Sequence, residues 1–357
     1  MKRTLFALVV FGRLLFADDA PLLNQLPVSP LQVVSTVPSN GDINPYGVAF
    51  VPHEFARGGP LHAGDVLVSN FNNGNNLQGT GTTIVSITPD GTQSLFFQGP
   101  AGLGLSTALG VLKRGVVLVG NVPTTDGSFS TIQQGSLIAI DRWGNQIASF
   151  ADSTLLDGPW DLTLIDHDSW ATVFVSNVLN GTVSRLELRI SHDGEHVSLD
   201  SATMIAHDYM HRGDPNALAL GPTGLAYDER HDELFVASTE DNAIYSIKDA
   251  SRRSQPEAKG ELVYTDTKHL RGPLGLLLEP DGNLITTNGD AINGDPTQPS
   301  EMVEFTRKGK FLAQYSVDLG GQGGAFGIAL EEGKDGVKRF AAVDDVVNTL
   351  EIWTIHE

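Results

Sequence analysis

"GPTGLAYDERHDELFVAST", residues 221–239, reads as two strands and a turn: a Gly-Pro opening, a short apolar element, a polar turn, and a second apolar run that stops at Ser238. The opening returns as "NPYGVAF" at 44–50, "ALGVL" at 108–112, "GPWDLTL" at 158–164, "GPLGLLL" at 272–278 and "GAFGIAL" at 324–330. Aligning the copies puts Gly47, Gly110, Asp161, Gly224, Gly275 and Gly327 in one column, at steps of 51 to 63 residues. Six copies at this period suit one four-stranded blade each, with loops inserted in two of them.

Each opening is followed by a continuous apolar run, "DVLVSN", "VVLVGN", "TVFVSN", "ELFVAS", "LITTN" or "FAAVD". Unbroken β-branched and aromatic runs of this length predict strands buried on both faces, as blades stacked face to face require. More alternating strands come third, among them "GTVSRLELRI" after the hairpin signal Asn180-Gly181. Edge strands such as "QSLFFQ" and "FLAQYSV" complete most blades. The last copy runs out at Glu357 without a fourth strand, while "LQVVSTV" at 31–37 has no blade of its own. The expected fold is therefore all-β: a six-bladed β-propeller whose N-terminal strand joins the last blade, closing the ring and removing its open edges. The ring should span residues 31–357.

Composition agrees with a turn-rich fold, with 39 Gly and 18 Pro. A net charge of −20 opposes a phosphate backbone, so no nucleic-acid partner is expected. The absence of cysteine rules out disulfides, thiolate metal centres and cysteine nucleophiles. "MKRTLFALVVFGRLLFADDA" has Lys2 and Arg3 before an apolar stretch and Ala17 before two aspartates, the order of a secretory signal peptide, although Arg13 interrupts it. Residues 1–17 are thus read as a signal peptide and 18–30 as a linker, with export to the periplasm or the cell exterior. No later segment reaches the roughly 20 apolar residues of a membrane span, and a monomer is expected.

The P-x-G-hydrophobic-A opening, the V-x-V-(A/S)-(N/D) strand and the D-G-N turn of "EPDGNLITTN" resemble NHL-repeat six-bladed propellers and, more loosely, the senescence-marker-protein/gluconolactonase group. The resemblance covers essentially the whole chain after residue 30 and implies architecture more than activity, because propellers host binders, lyases, hydrolases and scaffolds alike. It also implies a metal in the central channel, as gluconolactonase-like enzymes carry. Their pattern places a Glu two residues before the first-blade Pro; here that position is Ile43, and Asp157 in "DGPWD" of the third copy is the nearest imitation.

Two repeated positions can carry chemistry. The residue before the aligned column gives Tyr46, Leu109, Trp160, Thr223, Leu274 and Phe326, expected at one mouth of the channel. Tyr46, Trp160, Thr223 and Phe326 are the candidate ligand-binding residues, and the alternative is an inert plug of the axis. The ends of the second strands give Asn70, Asn121, Asn177, Ser238, Asn288 and Asp344. Their oxygens could hold Ca²⁺, which takes six to eight oxygen ligands; equally, Asn and Asp before a hairpin cap local backbone. A one-residue shift would select Thr239 and Asp345 instead and point them to the other face.

His207 and His211 would share a face if their segment were helical, but no third ligand accompanies them. No nucleophile elbow, phosphate loop or His-Glu-x-x-His pair is present. The function expected is an exported propeller that binds a small molecule or an envelope protein at one channel mouth. The alternatives are a Ca²⁺-dependent, lactonase-like hydrolase using Asp157 or Asp344 as base, and an interaction scaffold working through loops 71–81, 121–134 and 289–300.

Overall fold

A computed structural model of the chain describes residues 20–289, 297, 299, 301–333 and 336–356. The signal-peptide expectation and nearly all of the loop at 289–300 lie outside the described residues.

Six antiparallel sheets follow one another around a ring. Their innermost strands are Ile43–Phe50, Leu105–Leu112, Pro159–Asp166, Pro222–Asp228, Pro273–Leu278 and Ala325–Glu332, and we number the blades one to six in that order. Second strands such as Val66–Asn72 and Val116–Asn121 are buried along their whole length, as their unbroken apolar runs require. The sixth blade takes its outer strand from Gln32–Ser35, which pairs Gln32 with Ile352 and Ser35 with Thr349. The ring is closed by strand exchange.

The core is divided into seams. Separate apolar clusters join blades one and two through Leu67 and Val117, two and three through Leu118 and Val173, and three and four through Phe174 and Leu234. Others join four and five through Phe235 and Leu284, five and six through Ile285 and Phe340, and six and one through Val343 and Val68. The last of these runs on across the ring axis.

Residues 20–30, expected as a bare linker, do more than connect. A single helical turn, Leu22–Gln25, buries Leu22 and Leu23, and Leu26 follows them into the seam of blades five and six beside Met302 and Trp353. Each buried leucine contributes roughly 1.5–3 kcal/mol, enough to tie down a segment without strands. The Trp353 indole N–H donates to Pro27 O at 3.2 Å.

Strand register corrects one alignment. Pro45, Pro159, Pro222 and Pro273 lie opposite Asn70, Asn177, Ser238 and Asn288, and three residues on, Val48, Leu162, Leu225 and Leu276 pair two residues earlier on the second strand. In blade two the same two pairings fall on Leu105 and Leu109, four residues apart. Its bulge holds one residue more than the others. Leu109 therefore corresponds to Val48 rather than to Tyr46, and Ala108 replaces Gly110 in the column.

That column is small for a steric reason. A Cβ at Gly327 would lie 2.1 Å from Tyr46 O, at Gly275 2.4 Å from Phe326 O, at Gly224 2.3 Å from Leu274 O, and at Gly47 2.6 Å from Thr107 O. Neighbouring inner strands approach too closely for a side chain. Asp161 is the one column member that is neither Gly nor Ala.

Candidate functional site

Tyr46, Trp160 and Phe326 do converge, as the sequence predicts, and they fill the axis. Tyr46 stacks between Phe71 and Phe326 at centroid distances of 4.5 and 4.4 Å, and Trp160 meets Phe71 edge-on at 5.5 Å. All three predicted aromatics are at most 3% exposed. A hairpin inserted between blades three and four, Arg212–Asp214 with Leu218–Leu220, lays Leu218 and Ala219 over them. The gap left among Trp160, Leu274, Thr239 and Phe326 is about 10 Å³, barely the space of one water. These residues form a plug rather than a ligand mouth. Thr223 is spent inside it, donating to Pro273 O at 3.1 Å.

The amides that end the second strands serve the seams between blades. Asn70 Nδ2 donates to Thr36 O, Asn121 Nδ2 to Leu103 O, Asn177 Nδ2 to Leu155 O and Asn288 Nδ2 to His269 O, at 2.8–3.1 Å. Each acceptor lies on the chain leading into that blade's own inner strand, so each amide staples a blade to its incoming segment. Asn121 Oδ1 takes the Ser136 hydroxyl and Asn288 Oδ1 the Arg271 N–H. Asp344 accepts the Val346 and Val347 N–H groups at 3.0 and 3.4 Å, as a turn cap does. Each of these residues is thus bonded within its own blade, while Asn70 Oδ1 and Asn177 Oδ1 are buried without a hydrogen-bond partner. Among the described residues no group of three or more His, Asp or Glu could hold a metal ion.

The next position faces the axis instead. Phe71, Val122 and Val178 join the plug, and Thr239 and Gly289 border its small gap. A strand's alternation thus turns the amides outward and an apolar layer inward. His207 ends the strand Val197–His207, and His211 Nδ1 lies 3.0 Å from Tyr209 O, so the pair shares no helix face. Asp157 is half-buried near His211, and burial raises its carboxyl above the usual range.

The channel is open at its other end. Below the plug a cavity of about 260 Å³ is lined by all six inner strands, with Val48, Leu109, Leu162, Leu225, Leu276 and Ile328 among its walls. Among the described residues Asp161 is the one acidic side chain lining it, and no basic side chain does. Its carboxylate accepts the Leu162 N–H at 2.8 Å and, across the seam, the Leu225 N–H at 3.2 Å. Burial outweighs those two bonds and pushes the carboxyl up to about 7. Nearby, the Tyr227 hydroxyl donates to Asp232 and is pushed up to about 12 by burial and that carboxylate.

Neighbouring seams show what a purely structural group looks like here. Ser69 Oγ donates to Ser106 O, Ser106 Oγ to Pro159 O, Thr239 Oγ1 to Pro273 O and Thr287 Oγ1 to Phe326 O, at 2.7–2.9 Å. Hydroxyls suffice for four of the six joints. Between blades three and four the Asp161 carboxylate takes that place, inside the channel. The sequence contained this signal as the break in the glycine column at 161, which went unused because a lone Asp inside an apolar strand resembles no catalytic motif.

No protein-family model and no curated protein matches the chain. Among solved structures it is similar to a calcium-binding protein, regucalcin, from Agrobacterium tumefaciens, at 13% identity over 90% of this chain and 94% of that one, TM-score 0.52. A gluconolactonase from Xanthomonas campestris gives 12% identity over 92% and 97%, TM-score 0.51. An α-L-arabinanase from Penicillium chrysogenum, solved with arabinobiose, gives 12% over 92% and 98%, TM-score 0.53. At such identities the likeness is one of architecture. With six blade sheets, five of four strands and one of five, and an exchanged closing strand, the chain has the six-bladed β-propeller fold of the regucalcin and gluconolactonase structures.

Proposed function

We propose that this propeller binds a small molecule at the open mouth of its channel, with Asp161 as the anchoring group. One observation carries the reading: the column that sterics keep at Gly or Ala in five blades carries a carboxylate in the third, facing a cavity of about 260 Å³. The sequence-level proposal of a ligand at one mouth is kept, and the mouth is exchanged, because Tyr46, Trp160 and Phe326 seal the other. A single carboxylate, in a lining that also includes Thr107, Thr163 and Tyr227, selects a ligand that brings a cationic or hydrogen-bond-donating group. Export, expected from residues 1–17, remains part of the proposal on sequence grounds.

A thermal-shift screen of small amines and polyols on the wild type and Asp161→Asn, at pH 6 and pH 8, tests it. A stabilising ligand should lose its effect in Asp161→Asn and, if cationic, should bind more tightly at pH 8, where the carboxyl is ionised. A ligand that stabilises both proteins equally sinks the role given to Asp161.

A hydrolase is the second reading, favoured by the same carboxyl: a group titrating at about 7 is suited to giving and taking a proton near neutrality. Activity on a lactone panel with a profile bending near pH 7, lost in Asp161→Asn, would establish it; activity unaltered in that variant would exclude Asp161 as the base. Neither reading draws on Ca²⁺ at Asn70, Asn121, Asn177, Asn288 or Asp344, each of which is bonded to its own incoming segment or turn.

A further inference from the structure

The open mouth continues past the channel wall. Alternation along the strand Pro159–Asp166 puts Asp161, Thr163 and Ile165 on one face. The first two line the channel, and Ile165 lines a groove outside it of about 670 Å³. Tyr227, on the facing strand Pro222–Asp228 of blade four, borders both. The groove therefore extends the channel outward along the seam between blades three and four, and by the rise of the strand Ile165 lies about 13 Å from Asp161. A ligand that reaches from one to the other is longer than a single six-membered ring.

The groove is built from different chemistry. Trp170 opens the second strand of blade three, stacks on His167 with ring centroids 3.7 Å apart, and is still 39% exposed at the edge of the groove. Groups of both signs share that lining: Glu187, Glu229 and Asp232 against Arg230 and Arg252. Several are held in place beforehand, since Thr172 Oγ1 donates to Glu187 Oε2 at 2.8 Å, and the Tyr227 hydroxyl and Arg252 Nε donate to Asp232 at 2.9 and 3.1 Å. An exposed indole offers a large apolar face, while carboxylates and guanidiniums in near balance offer acceptors and donors together. A sugar ring matches both, with an apolar C–H face and a rim of hydroxyls. A phosphorylated ligand does not, because it would meet three carboxylates. We propose that the groove is a subsite for an oligosaccharide, one ring of which enters the channel at Asp161 while the next lies against Trp170. The proposal rests on the reading of Asp161 as the anchor and adds to it the class and the length of the ligand.

Calorimetric titration with two length series tests it: glucose, cellobiose and cellotriose, and glucosamine with its β-1,4-linked dimer and trimer. The proteins are the wild type, Trp170→Ala, Trp170→Phe and Asp161→Asn, and equal melting temperatures will show that the Trp170 variants fold. In at least one series the dimer should bind the wild type at least tenfold more tightly than the monomer. Trp170→Ala should abolish that gain without changing the monomer's affinity, Trp170→Phe, which keeps a ring, should restore most of it, and Asp161→Asn should weaken monomer and dimer alike. Silence from both series, or a length gain that survives Trp170→Ala, would overturn the proposal. Equal affinity for monomer and dimer, both weakened in Asp161→Asn, would overturn the subsite and leave the anchor standing. A length gain lost in Trp170→Ala but untouched by Asp161→Asn would support the subsite and overturn the anchor.

Discussion

Asp161 sits where the repeat wants no side chain, and its consequences can be measured. Its folded carboxyl titrates at about 7, against 3.8 for an unperturbed group, so the native state holds a proton that the unfolded chain releases across that interval. Its contribution to stability is full below pH 4 and is lost as pH rises through 7. Asp161→Asn keeps the size and an acceptor oxygen but removes the charge. We expect it to be more stable than the wild type by about 1–2 kcal/mol at pH 8, less than the whole shift implies because channel solvent screens the group. Urea unfolding should show the difference shrinking towards zero at pH 4. A variant less stable than the wild type at pH 8 would make Asp161 a strut like Ser106. At Gly327 the argument is steric: an added Cβ would lie 2.1 Å from Tyr46 O, so Gly327→Ala should cost about 1–3 kcal/mol.

Elements explain why the repeated amides looked like a metal ring. The second strand ends with one residue turned to the seam and the next to the axis, and sequence alone does not say which is which. The seam role predicts that Asn177→Ala, which removes bonds to Leu155 O, Thr182 Oγ1 and Ser184 Oγ, lowers stability by about 1–3 kcal/mol. Calorimetry with CaCl₂ should give the same result for variant and wild type. A specific loss of Ca²⁺ binding would restore the cation reading. The inserted hairpin at 212–220 was legible as an insertion, but its place over the plug was not, because Leu218 and Ala219 find their partners, Tyr46 and Trp160, only when distant blades close.

The whole molecule depends on its N-terminal segment. Residues 20–35 supply the outer strand of blade six and three leucines to the adjoining seam, so their deletion opens a β edge and an apolar seam together. We expect the truncated chain to lose its cooperative melting transition or to aggregate; a melting temperature within a few degrees of the full chain would refute closure as a stabilising device. The carboxyls also act collectively. Burial raises Asp161 and Glu351 to about 7, and raises Glu279, Glu304 and Asp344 as well. The folded state therefore outbinds the unfolded one in protons from about pH 4 upward, and its stability declines as pH rises. Asp228, Asp232 and Asp266, lowered by hydrogen bonds and ion pairs despite some burial, lose their contribution below about pH 4. Calorimetric scans should place the maximum melting temperature between about pH 4 and 6.

The sequence by itself determined the ring: six repeated openings set the blade count, unbroken apolar runs marked the buried strands, and an orphan strand before the first blade with a last blade one strand short demanded closure. These are local patterns, and period and burial are written in neighbouring residues. Only the tertiary structure decided which face was open. Tyr46, Trp160 and Phe326 could be read as a mouth or as a plug until Phe71 and the inserted hairpin were seen to seal them. Asp161 was one exception in a column until the column was seen to face a cavity. Convergence around an axis sums contributions from residues hundreds of positions apart, and no single stretch of sequence holds that sum.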